Sequence, residues 1–152
     1  MTKVLKVLLL SMLVVVPIVF DACGIRRTGS FVVVDGGEWR ADEEFELKCD
    51  SGSADDRVVV ALRYNDLYPY RGLTMDVVVE DSAGRKGETI LTMELYDKKG
   101  KRLGRGIGSS YLIEKATGLK FPKDSCTVKV SHLMNDSIIE GVEMIGILSV
   151  ND

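Results

Sequence analysis

The sequence predicts an all-β domain, specifically a two-sheet antiparallel β-sandwich with jelly-roll-like connections. After residue 30, apolar residues recur in short runs rich in β-branched side chains, and such runs are typical of strands. Clusters of Gly, Asp, Ser and Pro separate the runs, as turns do. No run keeps an apolar stripe at helical spacing, so crossover helices are not expected and antiparallel sheets packed face to face are favoured.

Eight strands follow from this pattern. Phe45, Leu47 and Cys49 alternate with charged residues, which is typical of a strand with one buried face. Residues 73–79 and 89–96 flank a polar connection (EDSAGRKGE) and are therefore predicted to pair as a hairpin. The predicted strands are residues 31–34, 45–49, 58–64, 73–79, 89–96, 110–114, 126–131 and 142–150.

The chain begins with a pattern that is not part of this domain. Lys3 and Lys6 form a short positive head, an apolar run extends to Phe20, and a cysteine followed by glycine comes at Cys23. This order is typical of a bacterial secretion signal whose removal leaves a cysteine as the first residue, ready to receive lipid. The prediction is a lipoprotein signal peptide at residues 1–22.

The same interpretation divides the rest of the chain into two parts. Residues 23–30 are predicted to be the lipidated cysteine with a flexible tether, and residues 31–152 the sandwich domain. An ordinary cleaved signal and an uncleaved anchor helix stay open as alternatives, because Asp21 is unusual just before a lipidated cysteine. As a helix, the apolar run at residues 5–20 spans about 24 Å, which is short for a hydrocarbon core of about 30 Å.

The charge balance excludes one class of partner. The chain has 20 Lys and Arg against 23 Asp and Glu. Without Lys3, Lys6 and Asp21 the balance is 18 against 22, a net charge of −4. Proteins that bind nucleic acid need a basic face, so no nucleic-acid partner is expected.

Two cysteines, Cys49 and Cys126, lie in predicted strands. In an oxidising compartment they form a disulfide across the two sheets, or else they stay reduced and pack as small apolar side chains; both interpretations are open. With His132, the only histidine, they make a poor ligand set for zinc, so no metal and no cofactor are expected.

No catalytic set is evident, and the protein is not expected to be an enzyme. No Gly-x-Ser-x-Gly turn accompanies His132, and a glycosidase-like pair among the many turn carboxylates is the alternative. Gly104, Gly106 and Gly108 lack the spacing and the following helix of a dinucleotide-binding loop. They indicate a bulge, a bend or a close approach, either to the chain's own backbone or to a partner.

One loop is the main candidate for recognition. Tyr68, Pro69, Tyr70 and Arg71 lie between two predicted strands, and the proline stiffens a loop that carries two aromatic rings. Such a loop suits a peptide or a sugar face, with Trp39 as a further ring of the same surface. Alternatively, the rings fold back and cover the end of the core.

Several short motifs occur in an order that points to a known family. They are residues 35–39 (DGGEW), Phe45, Arg63, residues 65–73 (NDLYPYRGL), Gly100, Gly104, Gly106, Gly108, Phe121, Pro122, Met134, Gly141, Val142, Ile145, Gly146 and Ile147. Through them, nearly all of the predicted domain resembles the gliding-motility lipoprotein GldH family of the Bacteroidetes.

The resemblance implies a class of function. It implies an outer-membrane lipoprotein, held to membrane lipid by an acylated Cys23, that serves as a structural or interaction part of a motility or secretion assembly together with other envelope proteins. It implies no catalysis and no ligand. Residues 24–30 (GIRRTGS) lack the acidic cluster expected of surface-exported lipoproteins in this group, so a periplasm-facing position is expected. The alternative is a β-sandwich that binds a carbohydrate or a peptide.

Overall fold

A computed structural model of the chain describes residues 27–50 and 54–151. The predicted signal peptide and Cys23 lie outside the described residues. Within the described part, the chain is built almost wholly from antiparallel strands. They are β1 (Arg27–Val33), β2 (Glu38–Arg40), β3 (Phe45–Cys49), β4 (Arg57–Asn65), β5 (Gly72–Asp81), β6 (Lys86–Glu94), β7 (Arg105–Ile107), β8 (Ser110–Lys120), β9 (Cys126–His132), β10 (Ile138–Glu140) and β11 (Val142–Val150).

The strands form two main sheets. The five-stranded sheet has the order β1-β11-β4-β8-β7, and the four-stranded sheet has the order β3-β9-β5-β6. The short strands β2 and β10 pair with each other beside them. The predicted two-sheet antiparallel sandwich is therefore confirmed. The chain crosses repeatedly from one sheet to the other, as jelly-roll-like connections require, and that finer connectivity stays a prediction.

All eight predicted strands are present, although several extend further than expected. The predicted hairpin is confirmed, because β5 and β6 pair with Val77 opposite Thr89. Three strands, β2, β7 and β10, were not predicted. Each is only three residues long, which is too short for an alternation of apolar and polar residues to stand out.

Strand β1 differs from the expectation at its start. It begins at Arg27, which pairs with Val150, so residues 27–30 belong to the five-stranded sheet and not to a flexible tether. The hydroxyl of Ser30 also donates to the Lys48 carbonyl of β3 at 2.6 Å, which links the edges of the two sheets. The backbone ladder to β11 and this link hold a segment whose own sequence (RTGS) carries little strand signal.

The core lies between the two sheets and is filled by alternate residues of the long strands. On β5, Leu73, Met75, Val77 and Val79 are buried, while the residues between them point outward. Six of the nine residues of β4 are buried, since some of its outward-facing residues are also covered. Each fully buried aliphatic side chain contributes about 1.5–3 kcal/mol, so this layer is the main source of stability.

The strands all end at one of two ends of the sandwich. We call one the tether end, because β1 begins there at Arg27; there β3 also ends at Cys49 and β9 begins at Cys126. We call the other the tyrosine end, where β4 ends at Asn65 and β5 begins at Gly72. The two ends are separated by the length of β4, about 30 Å for nine residues.

Candidate functional site

All five tyrosines of the chain gather at the tyrosine end. Tyr64 of β4 is fully buried at the centre of the group. Its ring centroid lies 6.3 Å from that of Tyr68, 6.2 Å from that of Tyr96 and 5.6 Å from that of Tyr111. Tyr70 extends the group outward, 6.0 Å from Tyr68. These spacings are those of aromatic pairs that attract through their ring quadrupoles.

The two most buried tyrosines hold the ends of loops through their hydroxyls. The Tyr64 hydroxyl donates to the Leu95 carbonyl at 3.1 Å, and the Tyr68 hydroxyl donates to the Gly72 carbonyl at 2.7 Å. Burial raises the pKa of both hydroxyls, so both stay protonated and act as donors. These rings are structural members of the site rather than reactive groups.

One cation, Arg102, joins the tyrosines to the loop before β5. Its guanidinium lies 4.0 Å from the ring centroid of Tyr111 and 5.9 Å from that of Tyr96. It also donates to the Tyr111 hydroxyl and pairs with the Asp66 carboxylate. Because cation–π contact and an ion pair act together, the segment after β6 is tied to the loop of residues 66–71.

The glycine run supplies room and a turn for this cluster. A Cβ at Gly104 would lie 3.0 Å from the Tyr64 hydroxyl and 3.2 Å from the Leu112 carbonyl, tighter than most Cβ contacts, so these neighbours would have to move. Gly106 pairs with Tyr111 across β7 and β8, and Gly108 takes a φ of +62° in the turn between these strands. Within the molecule, the glycine run therefore lets the backbone pack closely against Tyr64 at Gly104 and reverse direction at Gly108.

The loop of residues 66–71 is fixed at its base by long-range contacts. The Asn65 backbone nitrogen donates to the Gly141 carbonyl at 2.9 Å, and the Asn65 side-chain nitrogen, Nδ2, donates to the Glu143 carboxylate at 2.9 Å. Gly141 takes a φ of +81°, and a Cβ there would lie 2.8 Å from the Tyr68 Cα. The hydroxyl of Ser110 donates to Glu143 at 2.6 Å and lowers the pKa of that carboxyl, which stays ionised.

An open cleft of about 480 Å³ lies on the outer side of the tyrosine cluster. Its exposed members are Pro69, Arg71, Lys98, Lys99 and Gly100, and Tyr70 is half-buried among them. Its remaining lining residues are Tyr68, which is buried, and Tyr96, which is half-buried. Cationic groups beside flat apolar surfaces are suited to a ligand that carries carboxylates next to an apolar or ring face.

The Arg71 side chain is held in place at this cleft. Its guanidinium donates to the Asp97 carbonyl at 2.6 Å, in the turn that carries Lys98 and Lys99. The Asp97 carboxylate accepts from the backbone nitrogens of Lys99 and Lys101, each at 2.8 Å. Because the turn is fixed by these hydrogen bonds, the two lysines project from a defined backbone.

The predicted binding surface is corrected in one respect: Trp39 is fully buried. Its ring packs against Phe45 and His132, with centroids 5.4 Å and 5.2 Å away, and its Nε1 donates to the Glu43 carbonyl. The Tyr68 ring is buried as well, so it covers the core. The predicted surface is thus reduced to Pro69, Tyr70 and Arg71, to which Tyr96, Lys98 and Lys99 are added by packing.

The single histidine is also a core residue. His132 is buried, its Nδ1 accepts from the Met134 backbone nitrogen at 3.2 Å, and burial lowers its pKa. In residues 27–50 and 54–151, no group of three or more His, Cys, Asp or Glu side chains is placed to hold a metal ion. Within these same residues, no helix has the length and hydropathy needed to cross a membrane.

The two cysteines lie in one sheet, which corrects the predicted pairing across the two sheets. Cys49 of β3 is directly opposite Cys126 of β9. Both are free thiols in the structure; Cys126 is buried and Cys49 is half-buried. The correction arises because β3 and β9 are neighbours in the four-stranded sheet, an order that strand patterns alone do not specify.

Comparison with solved structures finds distant likenesses. A 4-O-methyl-α-glucuronidase matches with a TM-score of 0.49 and 16% identity over 84% of this chain and 17% of that chain. An exo-β-1,3-galactanase from Phanerochaete chrysosporium matches with a TM-score of 0.44 and 11% identity over 81% of this chain and 27% of that chain. The Eiger TNF of S. frugiperda matches with a TM-score of 0.34 and 9% identity over 83% of this chain and 94% of that chain. The chain spans about a quarter or less of the two enzymes, and with TM-scores below 0.5 these likenesses carry no argument.

The family comparison is more informative. No match is found among curated proteins. A model of the family described as GldH lipoprotein matches residues 29–148, from within β1 to within β11. The match includes the tyrosine cluster, the cleft and the glycine run. Since it extends over most of the chain, the protein belongs to the GldH lipoprotein family.

Proposed function

We propose that this protein is a lipid-anchored, non-catalytic part of an envelope assembly, bound to the membrane through Cys23 and to partner proteins through its tyrosine end. The observation that carries the proposal is that the chain leads to Cys23 from one end of the sandwich, whereas the cleft lies at the other. The family to which the chain belongs supports the membrane anchor.

The length of the connection supports this orientation. Four peptide units separate Cys23 from Arg27, where β1 begins, and they span at most about 14 Å. An acylated Cys23 therefore keeps the tether end close to the lipid headgroups. Because β4 extends about 30 Å from there, the cleft faces away from the bilayer, toward other proteins.

The absence of catalysis is part of the proposal. Its support is the position of His132, which is buried against Trp39 with Nδ1 occupied by a backbone donor. A general base needs hydrogen-bond reach to a substrate, which a side chain in this position lacks.

The proposed location is the periplasmic side of the outer membrane. Its support is the composition of residues 24–30, which hold Arg26 and Arg27 and no acidic residue. Two arginines beside the anchor also favour contact with anionic headgroups.

The anchor is tested by metabolic labelling with radioactive palmitate. We expect label in the wild-type protein and none in the Cys23→Ser variant, whereas Cys49→Ser, a matched loss of one thiol, stays labelled. Wild-type protein that takes up no label, or label that survives in Cys23→Ser, refutes the anchor.

A second candidate function is recognition of an acidic carbohydrate or an acidic peptide in the cleft. The observation in its favour is the grouping of Arg71, Lys98 and Lys99 beside Pro69 and the half-exposed ring of Tyr70. Calorimetric titration with oligogalacturonate and with an oligoglutamate peptide tests it. Binding that is lost in Lys98→Glu/Lys99→Glu but kept in Lys123→Glu, at the tether end, supports it, and the absence of heat with either probe rejects it.

A further inference from the structure

We infer that Cys49 and Cys126 form a disulfide between neighbouring strands of the four-stranded sheet, a covalent link at the tether end. The inference rests on the proposed function in one respect, since the envelope is an oxidising compartment and the cytoplasm is not. The link joins β3, at the edge of its sheet, to β9.

The register of the strands places Cys49 and Cys126 at a separation that a disulfide can bridge. Cys49 and Cys126 are direct partners in the antiparallel pair of β3 and β9. Direct partners in such a pair have Cα atoms about 4.5 or 5.5 Å apart, depending on the type of pair, and their side chains leave the same face of the sheet. Both separations lie within the range of roughly 4.4–6.8 Å seen in disulfides.

Burial shows which face the two thiols share. Cys126 follows the buried alternation of β9, in which Val128 and Val130 point into the core. Cys49 continues the buried alternation of β3 and packs against the same core, although it is partly exposed at the strand end. The two sulfurs are thus directed to each other at the margin of the core, where both residues also line an open cleft of about 460 Å³.

The chemistry is a thiol–disulfide exchange with a disulfide oxidant. The thiolate of one cysteine attacks the oxidant and releases one thiol, and the second cysteine then displaces the other. One S–S bond forms in the protein as one is broken in the oxidant, and the two protein thiols are oxidised while two thiols of the oxidant are produced. With oxidised glutathione, the products are the protein disulfide and two molecules of reduced glutathione.

The folded protein slows this reaction, which gives a kinetic signature. Burial, with the neighbouring Cys126, raises the pKa of the Cys49 thiol to about 12, and burial also raises that of Cys126. Since only the thiolate attacks, reduced folded protein oxidises slowly, whereas a chain that folds in the presence of the oxidant joins the pair before the strands bury it.

The test combines refolding of the full-length chain in detergent with thiol counting. The chain is refolded with oxidised and reduced glutathione, denatured, alkylated with N-ethylmaleimide, digested and analysed by mass spectrometry. We expect Cys49 and Cys126 to be unlabelled and joined in one disulfide-linked peptide pair, and to be labelled after reduction. Free thiols at both positions under these conditions overturn the inference without bearing on the anchor, which palmitate labelling tests.

Two further measurements complete the test. Protein trapped with acid in cells and then alkylated is expected to show the same linked pair; labelled thiols there, in protein whose Cys23 carries palmitate, overturn the inference while the anchor stands. Reduction is expected to lower the melting temperature by about 10 °C, because the bond closes a long loop. The control is Cys49→Ala/Cys126→Ala, whose melting temperature does not respond to reductant.

Discussion

Two connections at opposite ends of the sandwich, the turn between β5 and β6 and the loop of residues 66–71, are held in different ways. At the tether end, the turn between β5 and β6 is held by local polar contacts: the Asp81 carboxylate accepts from the backbone of Ala83 and Arg85 and from the Arg85 side chain. At the tyrosine end, contacts join residues far apart in sequence, such as Asn65 with Glu143. The difference teaches that the loop of residues 66–71 is fixed by distant parts of the fold, as a docking surface requires, whereas the turn between β5 and β6 is held by residues within it and next to it.

The largest expected effect is a difference in stability between alanine substitutions at two glycines, one at each end of the sandwich, that share a φ of +81°. Gly141→Ala places a Cβ against the backbone of Leu67 and Tyr68, while Gly84→Ala meets open space. We expect Gly84→Ala to lower the free energy of unfolding by about 1–2 kcal/mol, the cost of the left-handed conformation. Gly141→Ala adds backbone displacement and should cost at least about 3 kcal/mol.

Denaturant unfolding of the two variants measures this difference. Equal losses of stability in the two variants would show that the loop of residues 66–71 yields as readily as an isolated turn. That result would contradict the difference between the loop of residues 66–71 and the turn between β5 and β6.

A smaller effect is expected within the tyrosine end itself. Tyr68→Phe removes the hydroxyl that donates to the Gly72 carbonyl, so a part-buried acceptor is left without its partner, at a cost of about 1–2 kcal/mol. Tyr70→Phe is the matched control, because its bond to Asp136 is exposed and should contribute less than about 0.5 kcal/mol. If thermal unfolding ranks Tyr70→Phe as the more damaging, the buried ring does not hold the loop.

The smallest effect concerns pH. Burial holds the pKa of His132 below its usual value, so the unfolded chain takes up a proton more readily than the folded protein. The contribution of this residue is complete above a pH of about 6.5, the unfolded pKa, and is lost as the pH falls toward the folded pKa. Unfolding free energies between pH 7.5 and 5 should decline in the wild type and more weakly in His132→Gln; parallel curves contradict this.

The sequence predicted the long strands well and the site only in part. Strand β3 was recognised because apolar residues alternate with charged ones, and β5 and β11 because their runs are apolar and rich in β-branched residues. The short strand β2, which carries the buried Trp39, forms by pairing with β10. A pairing between segments so far apart in the chain leaves no pattern in the local sequence.

The cleft itself follows from tertiary packing. The loop at Pro69 and Tyr70 was identified from its own chemistry, but Tyr96, Lys98 and Lys99 join it only because Arg102 and the tyrosines hold the segment after β6 against it. Sheet order likewise decides that the two strand cysteines are neighbours in one sheet, since periodicity gives strands and faces without the order of strands.

The central claim is that the protein is anchored at one end and binds partners at the other. The most direct test is site-specific photo-cross-linking in cells, with a photoreactive amino acid at Lys99 in the cleft and, as the matched control, at Lys123 at the tether end. The account predicts a discrete cross-link to an envelope protein from position 99, lost when Arg71→Glu is added, and none from position 123. Protein cross-links that arise from position 123 and not from position 99 would contradict it.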